Sequence, residues 1–278
     1  MKKIIKSSAL LLALVMALGI FLAGCGKDDK KDEGDKGTDK KFTLVVGFDA
    51  SFPPYGYKDK KTGEYVGFDL DLAKEVAKRN DWDVKLQAID WKSKDMELKS
   101  GTINCLWNGF TINGREDDYT WSNPYVDNSQ VVVVKKDSGI KTLADLKGKI
   151  VMVQAGSSAE TALTNEKDNE KNLALTKTFK QLDKIKDYDM AFTNLEAGSV
   201  DAIAMDIGVA QFRIKKTPDK FVILEEQIAT EQYGVGFKKG NTELRDKVQK
   251  TLDEMIKDGT FLKIAEKWDL EGSVILAD

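Results

Sequence analysis

The sequence predicts a two-lobed α/β protein. Short apolar segments rich in Val and Ile alternate with amphipathic segments of helical spacing from residue 42 to about residue 268, an order that is typical of mostly parallel sheets. The chain leaves the first run of these units near residues 125–130 and returns near residues 230–233. Two crossings between two α/β units indicate a hinge beside a cleft, the usual place for a small ligand. The length of 278 residues suits this arrangement.

Residues 1–24 have the pattern of a secretory signal peptide. Three lysines precede an apolar run at residues 9–22, which is too short for a stable membrane-spanning helix. Leu-Ala-Gly and then Cys25 follow the run and resemble a bacterial lipobox. The resemblance implies cleavage before Cys25 and a lipid anchor on its sulfur at the outer face of the membrane. An ordinary signal peptide that ends near a cysteine is the alternative.

The composition of the remaining chain excludes several function classes. Residues 25–41 are almost entirely Lys, Asp, Glu and Gly, so we expect a solvated, charged tether. The formal net charge is −3 and becomes more negative once the signal-peptide lysines are removed, which disfavours nucleic acid and anionic membrane surfaces as partners. The absence of histidine removes the Ser-His-Asp triad and His-based zinc sites. We therefore expect binding without a cofactor or metal, rather than catalysis.

The first unit is predicted to contain four strands and two helices. The strands are expected at residues 44–48, 65–68, 84–89 and 104–106. Asp69 is expected to cap a helix that ends near residue 80, and a second helix ends near residue 101. Cys105 lies in an apolar strand and is interpreted as a small core residue without a disulfide partner. The loop at residues 49–55 carries two of the four prolines and is stiff.

The second unit continues the alternation, and the chain then returns to the first. Strands are predicted from residue 130 and at residues 150–153, 177–179, 200–205 and 221–224. Helices are predicted at residues 142–148, from residue 157, at residues 188–197 and around residues 209–212. A glycine-rich strand at residues 232–237 and helices at residues 242–257 and 260–268 complete the chain. Free N–H groups at the helix that begins near residue 157 would form an anion site.

The stretch between Trp107 and Arg115 contains groups suited to a small zwitterion. Gly109 allows close approach of the backbone, Thr111 offers a hydroxyl and an N–H group, and Arg115 brings a guanidinium to the same region. A planar cation beside free donors and acceptors is what a carboxylate with a neighbouring amine requires. A surface turn that carries an ion-paired arginine would contain the same residues.

Eight segments in sequence resemble the polar amino-acid-binding proteins of ABC importers, the extracellular solute-binding protein family 3. The matching segments are residues 47–55, 67–73, 109–112 with Arg115, 122–125, 145–149, 156–158, 198–202 with Asp206, and 233–237. The resemblance implies a type II periplasmic-binding-protein-like fold, with two doubly wound α/β domains joined by a two-stranded hinge. We expect lobe 1 to comprise residues 42–127 plus 232–278, and lobe 2 to comprise residues 128–231.

The resemblance also implies which groups bind the backbone of an amino acid. Arg115 would bind the α-carboxylate bidentately, together with N–H groups of Thr111, Ser157 and Ser158. Asp206, the Gly109 carbonyl and the Thr111 hydroxyl would bind the α-ammonium group. A buried zwitterion needs such a fixed cation and a fixed anion, because unpaired buried charge is costly. The alternatives are a plain helix cap for Asp206 and for the two serines.

Four further residues are expected around the ligand side chain. By resemblance Phe52 and Trp91 would be aromatic walls, and Asp49 would contact the polar end of the side chain. Asn108 is expected to add an amide contact. Phe52 and Trp91 as core aromatics, and Asp49 as a turn residue, are the alternatives. Because Asp49 suits a cationic or amide side chain, a neutral or cationic ligand is favoured over an acidic one. A second cleft carboxylate would favour lysine or arginine, but the sequence identifies none.

The predicted function is extracytoplasmic binding of a free polar amino acid by a lipid-anchored monomer, followed by delivery to the subunits of an ABC permease. Closure of the cleft would be favoured because only the closed state contacts the ligand from both lobes. Two alternatives stay open. One is a dehydratase of cyclic prephenate-type acids on the same fold, with Asp49 or Asp206 as general acid. The other is a sensory module that docks a receptor.

Overall fold

The computed structural model describes residues 41–165 and 170–276. The predicted signal peptide, Cys25 and all of the tether except Lys41 lie outside these residues. In the described ranges the strands are β1 Thr43–Phe48, β2 Ser51–Phe52, β3 Gly56–Lys58, β4 Tyr65–Val66, β5 Asp83–Ala88, β6 Cys105–Leu106, β7 Tyr119–Trp121, β8 Val126–Lys135, β9 Ile150–Gln154, β10 Gln181–Ile185, β11 Ala202–Asp206, β12 Phe221–Ile223, β13 Ala229–Tyr233 and β14 Gly236–Lys238. The helices are α1 Phe68–Arg79, α2 Lys94–Ser100, α3 Ser158–Thr164, α4 Glu170–Thr176, α5 Tyr188–Ala197, α6 Ile207–Ile214, α7 Thr242–Lys257 and α8 Thr260–Lys267.

The first lobe is built on a sheet of five strands in the order β5-β1-β6-β14-β7. Strand β1 lies inside this sheet and pairs in parallel with β5 and β6, whereas β14 pairs antiparallel with β6 and β7. The side chains of Leu44, Val46 and Phe48 on β1 are completely buried, as expected for a strand that is covered on both faces. The carboxyl end of β1 leads into the loop that carries Asp49 and Phe52.

The second lobe is built on a sheet in the order β10-β9-β11-β8-β12, with β13 paired to β8. Strands β9, β10 and β11 are parallel, whereas β8 is antiparallel to β11, β12 and β13. The sheets are therefore mixed rather than mostly parallel. Residues Val131–Val134 of β8 are buried, so their apolar run matches a strand at the centre of a lobe.

Two antiparallel strands connect the lobes. β8 and β13 pair from Gln130 opposite Ala229 to Val126 opposite Tyr233, and the chain then enters β14 of the first sheet. The glycine-rich segment predicted as one strand is thus two strands in different sheets, since β13 ends at Tyr233 and β14 begins at Gly236. This pair of strands confirms the predicted two-lobed architecture with its two crossings. Within the described residues, every helix is too short or too polar to cross a membrane.

Asp69 does not cap α1, contrary to the prediction. The residue that precedes the helix is Gly67, whose φ of 148° lets it pass close to the Tyr55 backbone. Asp69 is instead completely buried in the first turn. Its carboxylate accepts hydrogen bonds from the Gly109 N–H group at 2.6 Å and from the Tyr125 hydroxyl at 2.9 Å. Helix α1 therefore fixes the loop that carries Gly109.

The strand predicted at residues 177–179 is also wrong. Residues up to Thr176 belong to α4, and the strand β10 begins at Gln181. The hydroxyl of Thr178 donates to the Leu175 carbonyl at 2.6 Å, and the Thr176 hydroxyl donates to the Asn172 carbonyl at 2.9 Å. Such local side-chain bonds to the backbone favour a turn over a strand. Thr176 and Thr178 thus belong to the end of α4 and to the turn that follows it.

Replacement of Asp69 by alanine should destabilise the fold. The change leaves the buried Gly109 N–H group without an acceptor and the Tyr125 hydroxyl without a partner, so we expect the free energy of unfolding to fall by roughly 2–3 kcal/mol. Urea denaturation followed by far-UV circular dichroism measures this loss. The exposed control Glu64→Gln should change stability by less than about 0.5 kcal/mol. A similarly small loss for Asp69→Ala would contradict the role of this carboxylate.

Candidate functional site

A narrow cavity lies between the two lobes, where the loops at the ends of β1 and β6 face β9 and β11. The side chains and backbone that line it are Phe52, Trp91, Asn108, Gly109, Phe110, Thr111, Arg115, Gln154, Ser157, Ser158 and Asp206. Nine of the predicted site residues are among them. Asp49 does not line the cavity, because Gln154 lies between its carboxylate and the cavity. Phe110 and Gln154 were not predicted.

Phe110 and Trp91 form one aromatic side of the cavity. Their ring centroids are 5.4 Å apart in an edge-to-face arrangement. Phe52 lies on the other side, where its ring centroid is 5.7 Å from that of Tyr55 and 6.1 Å from that of Tyr188. Phe52 and Trp91 are 6% and 8% exposed, so each combines core packing with a surface that borders the cavity. The positions of Phe52 and Trp91 therefore fit both the predicted role as aromatic walls of the site and the alternative role as core aromatics.

Arg115 is half-buried at the mouth of the cavity. Its Nη1 donates to the Thr111 carbonyl at 3.2 Å, and its guanidinium lies 5.3 Å from the centroid of the Phe110 ring. Gly114, with a φ of 76°, makes the tight turn that brings the side chain back over the loop. Within the described ranges no carboxylate lies within ion-pair distance of this guanidinium. It can therefore bind an anion that the chain itself does not supply.

The loop before α3 closes the cavity from the second lobe. The Ser157 hydroxyl caps the helix by accepting from the Glu160 N–H group at 3.1 Å. The Glu160 carboxylate in turn accepts from the Gly156 N–H group at 2.6 Å. The Gly156 carbonyl accepts from the ammonium of Lys94 at 3.1 Å, which joins the two lobes beside Trp91. Burial lowers the pKa of Lys94 to about 8.

Asp206 lies at the end of β11 and is almost completely buried. Its Oδ1 accepts from the Tyr233 hydroxyl at 2.6 Å, from Gln130 Nε2 at 2.7 Å and from Asn128 Nδ2 at 3.0 Å. Although it precedes α6, its side chain makes no capping hydrogen bond, which argues against the helix-cap alternative. Burial, and then the nearby Glu231, raise its pKa to about 7.

Glu231 is a second buried carboxylate beside the cleft, and it was not predicted from the sequence. Its Oε1 accepts from Asn128 Nδ2 at 2.7 Å, from the Thr111 hydroxyl and Gln130 Nε2 at 2.8 Å, and from the Ser158 hydroxyl at 3.1 Å. A second acid therefore lies beside the cleft, although none was identified from the sequence. The one signal is the period of two along β13, which puts Glu231 on the same face as the buried Tyr233.

Asp49 is buried behind Gln154 and forms a contact between the lobes. Its Oδ2 accepts from Gln154 Nε2 at 2.5 Å, and its Oδ1 accepts from the Ser51 N–H group at 2.8 Å. Gln154 Nε2 also donates to the Lys186 carbonyl at 3.0 Å. Burial raises the pKa of Asp49 to about 6. Asn108 likewise faces the β1 loop, since its Oδ1 accepts from the Asp49 N–H group at 2.8 Å.

Comparison with known proteins agrees with this architecture. The bacterial extracellular solute-binding proteins, family 3, match residues 44–271. The arginine-binding extracellular protein ArtP of Bacillus subtilis (strain 168) is 32% identical, over 93% of this chain and 96% of that protein. The L-cystine-binding protein TcyA of the same strain is also 32% identical, again over 93% and 96%. An ancestral arginine-binding protein bound to arginine is 41% identical with a TM-score of 0.74, over 82% of this chain and 98% of that one. All three are named as binding proteins.

The pKa shifts of the buried acids predict an unusual pH dependence of stability. Burial raises the pKa of Asp49 to about 6 and that of Asp69 and Asp206 to about 7, so above pH 4 the folded state holds protons that the unfolded state releases. The free energy of unfolding should therefore fall as the pH rises from about 4 to about 7. We expect the ligand-free protein to melt at a higher temperature at pH 5.5 than at pH 7.5.

Scanning calorimetry of the free protein and of Asp206→Asn measures this effect. In this variant the melting temperatures at pH 5.5 and pH 7.5 should differ by less than in the unchanged protein. In the exposed control Asp219→Asn the difference in melting temperature should stay the same. Carboxylates with a lowered pKa, such as Asp258, lose their stabilising effect only when they are protonated at more acidic pH. They therefore do not alter the comparison between pH 5.5 and pH 7.5. An equal or higher melting temperature at pH 7.5 would contradict the prediction.

Proposed function

The chain belongs to the bacterial extracellular solute-binding proteins, family 3, and on this premise we propose that its cleft binds a free polar amino acid for an ABC importer. We further propose that the ligand side chain carries hydrogen-bond donors, with arginine as the first candidate. Arginine is the ligand named for ArtP and for the ancestral protein.

One observation carries the proposal: two opposite charges border the same cavity, and neither has an oppositely charged partner among the described residues. Arg115 supplies the cation and Asp206 the anion. Thr111 connects them, because its carbonyl accepts from Arg115 while its hydroxyl donates to the network around Asp206. A zwitterion with its two charges a few ångströms apart satisfies both groups at once.

The ligand contacts follow from this geometry. We propose that Arg115 binds the α-carboxylate, with backbone N–H groups of Thr111, Ser157 and Ser158. Asp206, the Gly109 carbonyl and the Thr111 hydroxyl would bind the α-ammonium group. Phe52 and Trp91 would then enclose the aliphatic part of the side chain between their rings. Asn108 would act indirectly, by fixing the loop that begins at Asp49.

The preference for a donor side chain rests on Gln154. Both of its amide hydrogens are engaged, one by Asp49 and one by the Lys186 carbonyl, so its oxygen is the atom available to a ligand. An acceptor backed by the Asp49 carboxylate suits a guanidinium, an ammonium or an amide, and it disfavours the carboxylate of an acidic side chain. Asp49 is thus proposed to act through Gln154 rather than by direct contact.

Transport requires that the lobes close over the ligand and then release it. We propose that residues 42–127 with 232–278 move as one lobe and residues 128–231 as the other, about the strands β8 and β13. Contacts between the two lobes support this, because opening of the cleft would break them. They include Thr111 Oγ1 to Ser158 Oγ at 3.2 Å and Arg213 Nη2 to the Ser51 carbonyl at 2.8 Å. The protein would deliver its ligand to the permease as a monomer.

A panel of amino acids tests the ligand class. We expect arginine, and more weakly lysine and glutamine, to raise the melting temperature of the protein, because a ligand that binds only the native state stabilises it. Glutamate and aspartate should have no effect. Arg115→Ala should weaken binding by about 100-fold or more, as it removes a bidentate, charge-assisted pair.

The matched control is Arg245→Ala, which removes an arginine whose contacts are with Asp246 and the Trp121 carbonyl, outside the cavity. This variant should bind as the unchanged protein does. If no amino acid raised the melting temperature, the result would count against amino-acid binding. If Arg115→Ala bound with full affinity, the carboxylate would have to bind elsewhere. Conversion of a cyclic acid into a dehydrated product would support the dehydratase alternative instead.

We also propose that Cys25 carries the lipid anchor, supported by the signal-peptide pattern and the Leu-Ala-Gly that precedes it. In a bacterial host, Cys25→Ser should move the protein from the membrane fraction to the medium or the soluble extracytoplasmic fraction, since two or more acyl chains are needed for stable anchoring. Cys105→Ser is the control and should remain with the membrane. Membrane retention of Cys25→Ser would contradict the anchor.

A further inference from the structure

The hinge carries two acids that share the same hydrogen-bond donors. Asn128 Nδ2 and Gln130 Nε2 each lie within 3.0 Å of both Asp206 Oδ1 and Glu231 Oε1. The two carboxylate oxygens are therefore no farther apart than twice a hydrogen-bond length. Two like charges at such a distance in a buried site disfavour full ionisation of both groups.

The NH2 groups of the two hinge amides face this pair, and Gln130 Nε2 also lies 2.8 Å from the Ser158 hydroxyl oxygen. Asn128 and Gln130 turn the NH2 groups of their side chains to the acids. Their amide oxygens, Asn128 Oδ1 and Gln130 Oε1, are therefore buried without a hydrogen-bond partner. Leaving a buried acceptor unpaired costs free energy. The arrangement is understandable if at least one of the acids carries negative charge, because bonds from neutral donors to an ionised acceptor are the stronger ones.

No positive side chain balances the pair among the described residues. Burial raises the pKa of Tyr55, Tyr188 and Tyr233 well above the usual range, so these three neighbours are neutral. The charged residues on the packed elements are engaged elsewhere: Glu160 of α3 with Lys184, Arg213 of α6 with Asp189, and Asp127 of β8 with the Gln232 amide. Of the remaining site residues, Arg115 contacts the Thr111 carbonyl and Asp49 contacts Gln154.

We propose that Glu231 is a positioning residue for the ligand's ammonium group, and that Asp206, beside Glu231, exchanges a bound proton for that ammonium group. This inference rests on the proposed amino-acid binding and extends it. Glu231 acts through two hydroxyl groups and through Asp206, not by direct contact with the ligand.

The hydroxyl groups of Thr111 and Ser158 transmit the charge of Glu231 to the cavity. Each has a single proton, and each lies within hydrogen-bond distance of Glu231 Oε1. A hydroxyl that donates to a carboxylate turns its lone pairs away from that carboxylate. Both residues line the cavity. Ser158 Oγ already accepts from Gln130 Nε2 at 2.8 Å, so it has one lone pair left for the ligand, whereas Thr111 Oγ1 has both. Glu231 thereby makes these hydroxyl oxygens selective for an ammonium group.

Proton exchange balances the charge of the site in both states. Without an ammonium group, Asp206 holds a proton, consistent with its raised pKa of about 7. When the ammonium group enters, it stabilises the ionised form of Asp206, and the proton leaves to solvent. Glu231 also borders an open groove of about 450 Å³ on the outer side of the hinge, lined in part by Asp127 and Asn128, which provides the exit.

The test combines a titration of the free protein with binding measurements on Glu231→Gln. Carboxyl carbon NMR of the free protein should find Asp206 titrating near neutral pH, and the variant should lower this pKa by removing the like charge. With L-arginine and L-glutamine as probes, calorimetry should give an affinity about tenfold or more higher at pH 8 than at pH 5.5. In Glu231→Gln the affinity at pH 8 should fall, and its pH dependence should weaken and move to lower pH, because the burial of Asp206 remains.

Two further variants keep the test decisive. Glu231→Asp retains the charge and should retain the pH dependence, even if the shorter side chain weakens binding. Glu225→Gln alters an exposed acid nearby and should change neither measurement. Binding that keeps its full pH dependence in Glu231→Gln, or an unchanged Asp206 pKa, would overturn the inference alone. Failure of every amino acid to bind, with the Asp206 pKa shifted as expected, would overturn the proposed function and the ammonium role with it.

Discussion

The shape of the cleft depends on two carboxylates that are buried where the lobes join. Asp206 ends a strand of the second lobe, and Glu231 lies on a strand that leads back to the first. Because both draw on the amides of Asn128 and Gln130, the hinge strands β8 and β13 are fixed relative to β11. The same donors could satisfy one acid fully. Two acids leave an excess of negative charge that only a proton or a cation can balance.

The loop opposite these acids is held by contacts of a different kind. Gly109 has a φ of 57°, and a Cβ atom at this position would lie 2.7 Å from Phe52 and 2.9 Å from Tyr233. Only glycine therefore fits at this position. Asp69 fixes the backbone here by accepting a hydrogen bond from the Gly109 N–H group. Since Tyr233 also donates to Asp206, the loop and the acids meet at one side chain. A loop that is held by rigid elements keeps the groups of a binding site in a fixed geometry.

Much of this arrangement was predictable from sequence, because strong periodicity fixes the type and length of an element. The helices at residues 188–197 and 242–257 match their predicted limits, and nine of the ten predicted site residues line the cavity between the lobes. Glu231 was missed because its neighbours Thr230 and Gln232 are polar, so β13 gives no apolar alternation. Asp69 was assigned to a cap because a carboxylate near a helix start usually serves one. Its actual partner, Gly109, lies 40 residues away, a distance that no local pattern encodes.

Charge placement also explains how one fold can separate amino acids that share the same backbone groups. The proposed zwitterion clamp at Arg115 and Asp206 would be blind to the side chain, so discrimination would arise at the other end of the cavity. There Gln154 presents one polar group whose orientation is set by Asp49 from the opposite lobe. This bond also bridges the lobes, so the residue that would select the side chain contributes to closure as well. A side chain that disturbs the Gln154 amide would therefore weaken the closed state itself, and selectivity and closure would be two effects of one hydrogen bond.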